Sequence, residues 1–437
     1  MAIYKHNRFS LNRRNFLQGA AVAGGALTGL LPIRKARAAG NTIKIGYLTS
    51  ITGPRASFGV PAEHNLKHIQ NLLKDGLTIA GKTYEVQILM RDTQSSPNRA
   101  ASVGNDLVLR EEVDLLLDDS NSDYVVGELC DQTGLPFIAT MTQYEPFLAA
   151  RGSSPDKGYP WSFLFCFGAT DVSRNFVGQW DQVKTNKVMG DIYLDHPAGQ
   201  SFADEKTGIP GEALKHGYKH ISGGFFKPDS DDFTTQIATI KAGNPDILSG
   251  FMFDSQFSTF WTQAKQAGLN LEVATLAGPF LFPSGVEALG DAGDGVSSEV
   301  WWTPDVPFSS SLTGQTARQL ADDWTSATGK QWTQPLGYMH ALFEVAIEVL
   351  KRSNDPFDRE AIRNAITGLD METMVGPVNF KDSKIKSVAA TQLAMGQWRK
   401  QKSGKFPFEL LITSNTLAPD IKPVAQFKLL SEIRAGG

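Results

Sequence analysis

The sequence predicts an α/β protein built as two doubly wound lobes in series. Two observations carry this. Short β-branched, apolar runs alternate with helical segments of about a dozen residues, the pattern of βαβ units around a parallel sheet. The same pattern then restarts near Trp161. A length of 437 residues agrees, since domains average about 150.

The elements follow in order. Residues 42–49 (TIKIGYLT) alternate around β-branched positions and read as a strand. Gly53-Pro54 marks a loop. Residues 61–74 place Leu66, Ile69, Leu72 and Leu73 at helical spacing. A strand over 84–90, a helix over 100–110, a buried strand over 113–117, a helix over 124–133 and a strand over 136–139 complete the first series. The second series has helices over 171–185, 202–216, 234–242 and 258–267. Its strands are expected over 187–193, 220–226, 247–253 and 272–277. Residues 335–352 predict a strong amphipathic helix, and 358–367 another with Asp358 as its N-cap. From Val378 on, strands and turns are expected.

Composition narrows function. With 41% hydrophobic and 20% charged residues the chain is ordinary globular protein. Lys and Arg number 42 against 46 Asp and Glu, with no basic stripe, so nucleic acid is not an expected partner. Cys130 and Cys166 are too few for a disulfide scaffold or a Cys-rich zinc site. They either pair in an oxidising compartment or stay as two buried thiols. No HExxH, CxxC, GxSxG, Walker loop or GxGxxG occurs. No catalytic residue, metal or cofactor is therefore expected.

Residues 1–38 read as an export leader. Lys5, Arg8, Arg13 and Arg14 open it, a 13-residue run of small and apolar residues follows over 19–31, and Ala36-Arg37-Ala38 offers a cleavage site. That run is shorter than the roughly 20 residues a membrane span requires. Asn12-Arg13-Arg14-Asn15-Phe16-Leu17-Gln18 resembles the twin-arginine motif, departing from it at Asn12 and Gln18. The resemblance implies the twin-arginine export machinery as a partner and the periplasm as destination, with cleavage near Ala38. The leader holds seven Lys and Arg and no acid, so the remainder is more acidic than the whole chain's formal charge of −4.

In open α/β sheets ligands sit beyond the carboxyl ends of the strands. Here those ends are residues 49–59, 91–97, 118–123, 140–146, 194–201, 253–256 and 278–284. Several motifs on them resemble one family: Ile43-Lys44-Ile45-Gly46, Thr52-Gly53-Pro54, Phe58-Gly59, Arg91-Asp92, Ser120-Asn121-Ser122 and Leu135-Pro136-Phe137-Ile138. Pro245-Asp246-Ile247 and Ala267-Gly268-Leu269 extend the resemblance, which covers about residues 42 to 400. The family is the leucine/isoleucine/valine-binding type of periplasmic solute-binding protein, the receptors of branched-chain amino acid ABC transporters.

The resemblance implies the type I periplasmic binding protein fold, two Rossmann-like lobes joined by a three-strand hinge. Lobe 1 would hold residues 42–167 plus 303–374, and lobe 2 residues 168–302 plus 375–437, with crossings near Phe167, Trp302 and Val375. It also implies a site. Ser120, with Asn121 and Ser122 beside it, matches a serine that hydrogen-bonds a ligand carboxylate. Met141 and Gln143 match positions supplying backbone groups and a threonine hydroxyl, for which Thr140 and Thr142 are neighbouring substitutes. Phe58 matches an aromatic flanking the ligand. Ala198 stands where a tyrosine is common, and Phe253 on another aromatic. Near Phe280 the family places a glutamate for an ammonium, which this chain lacks; Asp254 or Asp195 could replace it. Trp301 or Trp302 would wall the cleft. Arg55 reads as a solvated residue or as a counter-charge. The pocket expected is lined by Phe58, Phe253, Phe280 and a tryptophan, with the carboxylate or amide on the Ser120 side.

The expected function is a non-enzymatic, monomeric receptor that captures a small solute by hinge closure and passes it to an ABC permease. The alternatives are a ligand-sensing module for a membrane receptor, and an enzyme of the cleft.

Overall fold

The structure is a computed structural model that describes residues 40–436. The leader read over residues 1–38 lies outside the described residues. In chain order the strands are β1 (Thr42–Thr49), β2 (Leu77–Ile79), β3 (Lys82–Asp92), β4 (Leu115–Asp118), β5 (Phe137–Thr140) and β6 (Ser162–Phe165). Then come β7 (Val188–Leu194), β8 (Lys219–Phe226), β9 (Ile247–Phe251), β10 (Val273–Ala277) and β11 (Ser297–Val300). The last are β12 (Asp370–Thr373), β13 (Gly376–Asn379), β14 (Val388–Ala389), β15 (Leu393–Lys400) and β16 (Phe408–Leu417).

They form two seven-stranded sheets. The first runs β14-β6-β5-β4-β1-β3-β2 and the second β16-β15-β11-β10-β9-β7-β8. Antiparallel pairing is confined to β2 on β3 at one edge and to β15 and β16 beyond β11 at another. β12 and β13 make a separate hairpin. The central strands are apolar on both faces. β4 reads Leu115-Leu116-Leu117-Asp118, all buried, as parallel strands covered by helices on both sides must be. Each lobe is thus a doubly wound α/β layer, as the alternating pattern predicts.

Several element boundaries differ from the sequence reading, for identifiable reasons. Residues 202–216 form two helices, Pro197–Phe202 and Ile209–Lys215. Asp204 Oδ1 accepts from the backbone N–H groups of Lys206 and Thr207 and from the Thr207 hydroxyl, which makes a turn between them. Residues 97–110 are a helix, Pro97–Asn105, ending in one π-helical turn, Asp106–Arg110. The helix Pro335–Ser353 is buried almost all round rather than amphipathic, so it is a core helix of the first lobe.

The chain passes between the sheets three times. The first passage, residues 166–168, follows β6, and the second, 301–303, follows β11. The third runs from β14, which pairs with β6, to β15, which pairs with β11. It therefore lies at residues 390–392 and not near Val375: Val388–Ala389 is still bonded into the first sheet. The passages lie side by side. Cys166 N–H donates to Ala389 O at 3.2 Å, and Trp301 meets Phe167 at 5.3 Å between ring centroids.

A polar side chain ties each passage. Glu145 of the first lobe accepts from Ala169 N–H at 2.7 Å and Thr170 N–H at 2.9 Å, capping the helix Ala169–Trp180 that opens the second lobe. Gln334 Oε1 accepts from Trp301 N–H at 2.6 Å, and its Nε2 donates to Glu299 O at 3.2 Å. The Tyr338 and Thr391 hydroxyls share a 2.8 Å bond. Cys130 and Cys166 are both buried and unpaired, and burial pushes both thiols well above the usual range.

Candidate functional site

Strand order sets the place. In the first sheet β1 lies between β3 and β4, and in the second β7 lies between β8 and β9. At each point successive connections run to opposite sides, leaving a crevice beyond the strand ends. The loops that border these crevices are residues 50–61, 119–122, 195–196 and 252–253.

The first loop is held from beneath. Asp92, at the end of β3, accepts from Ile51 N–H at 3.0 Å and from the Thr52 hydroxyl at 2.6 Å. Burial would raise its pKa, but these bonds and one from Gln94 N–H keep it below the ordinary value. Ser95 Oγ donates to Thr52 O at 2.9 Å and accepts from Arg55 N–H at 3.1 Å. Gly53 turns there at φ +89°, and a Cβ would stand 2.4 Å from Gln94 O, so the turn requires glycine. The result presents Ser57 and Phe58 on a short helix, Ala56–Gly59, with Arg55 just before it.

The loop after β4 makes an acidic floor. Asp118, Asp119 and Asp123 are each about 1% exposed. Asp118 is tied to its own loop: Oδ1 accepts from Ser120 N–H at 2.8 Å and from Ser120 Oγ at 2.5 Å, and Oδ2 accepts from Ser122 N–H at 3.1 Å. Tyr47 donates its hydroxyl to Asp119. Thr142 donates to Asp123 Oδ1 at 2.7 Å and accepts from Asn121 Nδ2 at the same distance. Burial pushes Asp118 up to about 7, helped by the charge on Asp123. Burial also pushes Asp119 up to about 7, against the Tyr47 hydrogen bond. Asp123 is raised by burial too. Asn121 at φ +61° and Met141 at φ +59° hold left-handed backbone beside this floor, the local strain that gathers at functional loops.

Arg55 faces the floor. Its guanidinium lies over Phe58, 4.1 Å from the ring centroid, and 5.9 Å from Phe253 of the second lobe. Nε and Nη2 are shut off from solvent and have no hydrogen-bond partner. Burial lowers its pKa to about 10 even though Asp118, Asp119 and Asp123 pull the other way. It remains a full cation at neutral pH.

Rings from both lobes meet Phe58 and Phe253, the two that flank it. Phe58 meets Phe282 edge-on at 4.8 Å and Trp301 at 6.0 Å. Trp301 also meets Tyr338 at 5.9 Å. His196 lies 6.0 Å from Phe253. Burial, then the charge on Arg55, lowers His196 to about 4. Its Nδ1 accepts from Ala198 N–H at 3.2 Å, so the neutral ring carries its proton on Nε2. Ser57 Oγ donates to Asp254 Oδ2 across the lobes at 3.2 Å. A cavity of about 400 Å³ opens beside Ser57 and Phe282, with Glu287, Lys330 and Thr333 in its wall.

The structure gathers part of the expected set here. Phe58, Ser120, Asn121, Ser122, Thr142, Ala198, Phe253 and Asp254 border the crevice or its floor. Met141 is buried beside them, and Gln143, half-buried, precedes the helix Tyr144–Ala149. Thr140 is committed elsewhere, donating to Phe165 O at 2.8 Å within the sheet. Phe280 packs on Phe257 at 4.7 Å inside the second lobe, and its carbonyl accepts from Trp398 Nε1. Phe282, two residues on, is the ring that reaches Phe58. Trp302 turns into the first lobe against Trp332. It lies so close to Gly337 that a Cβ there would stand 2.4 Å from its ring. Trp301 takes the place at Phe58. The sequence reading also passed over Asp118, Asp119 and Asp123. The signal was present, since three aspartates within six residues follow a strand of three leucines. Among the described residues no group of His, Cys, Asp and Glu is arranged to hold a metal.

Comparison with known proteins agrees with this architecture. A leucine binding protein from Thermotoga maritima MSB8 superposes with a TM-score of 0.68 at 16% identity, over 84% of this chain and 97% of that one. A solute binding protein of an ABC transporter from Rhodopseudomonas palustris BisB5, solved with 3,4-dihydroxybenzoic acid, gives 0.68 at 16% identity over 88% and 99%. Another from R. palustris, solved with benzoate, gives 0.68 at 15% over 88% and 98%. These likenesses are of fold. The family described as periplasmic binding protein matches residues 42–405, which takes in the first sheet, all of the second but β16, and every loop of the crevice, and the chain belongs to that family.

Proposed function

We propose that this protein is the solute receptor of an ABC importer, exported through the twin-arginine route, and that it traps a small carboxylate-bearing solute between its lobes. One observation carries the reading: half-buried Arg55, whose Nε and Nη2 are shut off from solvent without partners, lies between Phe58 of the first lobe and Phe253 of the second. A guanidinium fork matches a carboxylate. Phe58, Phe253, Phe282 and Trp301 suit an apolar or aromatic body. The anchor therefore shifts from the Ser120 side to Arg55, because Ser120 spends its hydroxyl on Asp118. The relatives solved with benzoate and 3,4-dihydroxybenzoic acid hold ligands of this shape.

The test is a thermal-shift and tryptophan-fluorescence screen against amino acids, aromatic acids and amides. A ligand bound only by the folded state raises the melting temperature by mass action. The expected result is a hit whose affinity falls at least about a hundredfold in Arg55→Gln, the loss of one buried charged hydrogen-bonding partner. No hit across the panel, or a hit indifferent to Arg55, would sink the reading.

A further inference from the structure

We infer that the cavity beside Ser57 and Phe282 is a second small-molecule site, on the flank of the crevice, and that it takes an uncharged ring compound carrying a hydroxyl. This goes beyond the receptor reading and does not depend on it.

The cavity measures about 400 Å³, a size typical of small-ligand sites. Of the four crevice loops only the first contributes to its wall, through Ser57 and Val60, and Arg55 is not part of it. The rest comes from elements remote from the crevice floor. Gln331 and Thr333 precede the core helix Pro335–Ser353 of the first lobe. Phe282 belongs to the second lobe, as does Phe406, in the turn between β15 and β16.

Two polar groups in this wall lack partners. Gln331 and Thr333 are each only 8% exposed. The Gln331 amide is oriented by its Nε2, which donates to Phe408 O at 2.9 Å. That leaves Oε1 as a pure acceptor, shut off from solvent and unbonded. Thr333 Oγ1 is buried without a partner as well, and a hydroxyl can both give and take a hydrogen bond. Polar groups left this way are costly and rare in folded proteins. The third hydroxyl of the wall, Ser57, is already spent on Asp254.

The rest of the wall says what carries the matching group. Charge is confined to the rim, where Glu287 and Lys330 are exposed and opposite in sign, so neither an anion nor a cation is favoured. Phe282 is buried, Phe406 is half-buried, and Val60 is 42% exposed although apolar. A ring that covers Val60 and meets the two phenylalanines removes apolar surface from water. A hydroxyl on that ring gives a hydrogen bond to Gln331 Oε1 and takes one from Thr333. A carboxylate has no proton for Gln331 Oε1, and a hydrocarbon serves neither group.

The test is calorimetric titration of the purified full chain with phenol, benzyl alcohol and toluene. At least one of the two hydroxyl compounds should bind about tenfold tighter than toluene, the worth of satisfying a stranded polar group. Thr333→Val keeps the shape and removes the hydroxyl. It should abolish most of that preference and leave toluene binding within about twofold, since apolar contact is unchanged. Val60→Trp, at an exposed position, should block all three compounds by filling the cavity, and the melting temperature of each unliganded variant shows that it folds. In crystals soaked with 4-bromophenol, the anomalous signal of bromine should lie between Phe282 and Phe406. Toluene binding as tightly as both hydroxyl compounds, or bromine found elsewhere, would overturn the inference. Phenol binding that survives Thr333→Val but is lost in Arg55→Gln would assign the compound to the crevice and overturn it too. So would no binding at concentrations on the order of 10 mM, where ligands of seven or eight heavy atoms register; the receptor reading would stand in each case.

Discussion

Asp119 is kept in a setting that disfavours its charge, and stability must register this. Its pKa in the folded chain is about 7, against about 3.9 in an unfolded one. Below pH 4 both states hold the proton and nothing is lost. Between pH 4 and 7 the unfolded chain releases the proton while the folded chain keeps it, so rising pH favours unfolding. The contribution is flat again above about pH 8. Asp118, raised by burial and by the charge on Asp123, shares this behaviour. Asp119→Asn keeps an oxygen for Tyr47 and removes the charge. Chemical denaturation should find the variant on the order of 2 kcal/mol more stable than the natural chain at pH 8, and equal to it at pH 4. A gain that is the same at both pH values would refute the buried-charge account. At this scale the sequence was only partly legible. It shows that Arg55 and three aspartates exist near strand ends, but their burial is decided by contacts distant in sequence, such as Tyr47 and Thr142 on the aspartates and Phe253 beside Arg55. Phe280 and Phe282 make the same point. Beyond β10 the strand period lapses, so which of the two rings faces the crevice is settled by the turn and not by alternation.

Among elements, the passages between the sheets depend on single buried side chains. Gln334 is fully buried and spans two of their backbone groups, Trp301 N–H and Glu299 O. Gln334→Ala leaves both unsatisfied. A loss of about 2–3 kcal/mol is expected from two stranded buried backbone groups, measured by urea unfolding. A loss below 0.5 kcal/mol would mean that water replaces the side chain freely. The strands and helices themselves were readable where period was strong: β1, β4 and the helix Pro335–Ser353 follow from apolar spacing alone. Reading failed where local chemistry overrode spacing, as in the turn made by Asp204. The third passage was misplaced because β14 has only two residues, too few for any periodic signal.

For the whole molecule, the two sheets and their order follow from the alternation of elements. The closeness of the lobes does not, since it rests on contacts such as Ser57 with Asp254 and Phe58 with Phe282. These contacts meet across the crevice, so removing them should favour an open form. Small-angle scattering of Ser57→Ala/Asp254→Ala is expected to give a larger radius of gyration without ligand and the natural value at saturating ligand. An unchanged ligand-free radius would show that this latch does not set the gap. The triple passage also limits what any such motion can be. One connecting thread would permit twisting and sliding in every direction, and two would still allow torsion. Three adjacent threads behave as a flat strip that flexes about a single line and resists shear. Any motion that brought the halves together would therefore return the same atoms to the same neighbours each time, and the fit of a molecule held between them would be decided by chemistry on the facing walls rather than by how the halves happen to meet.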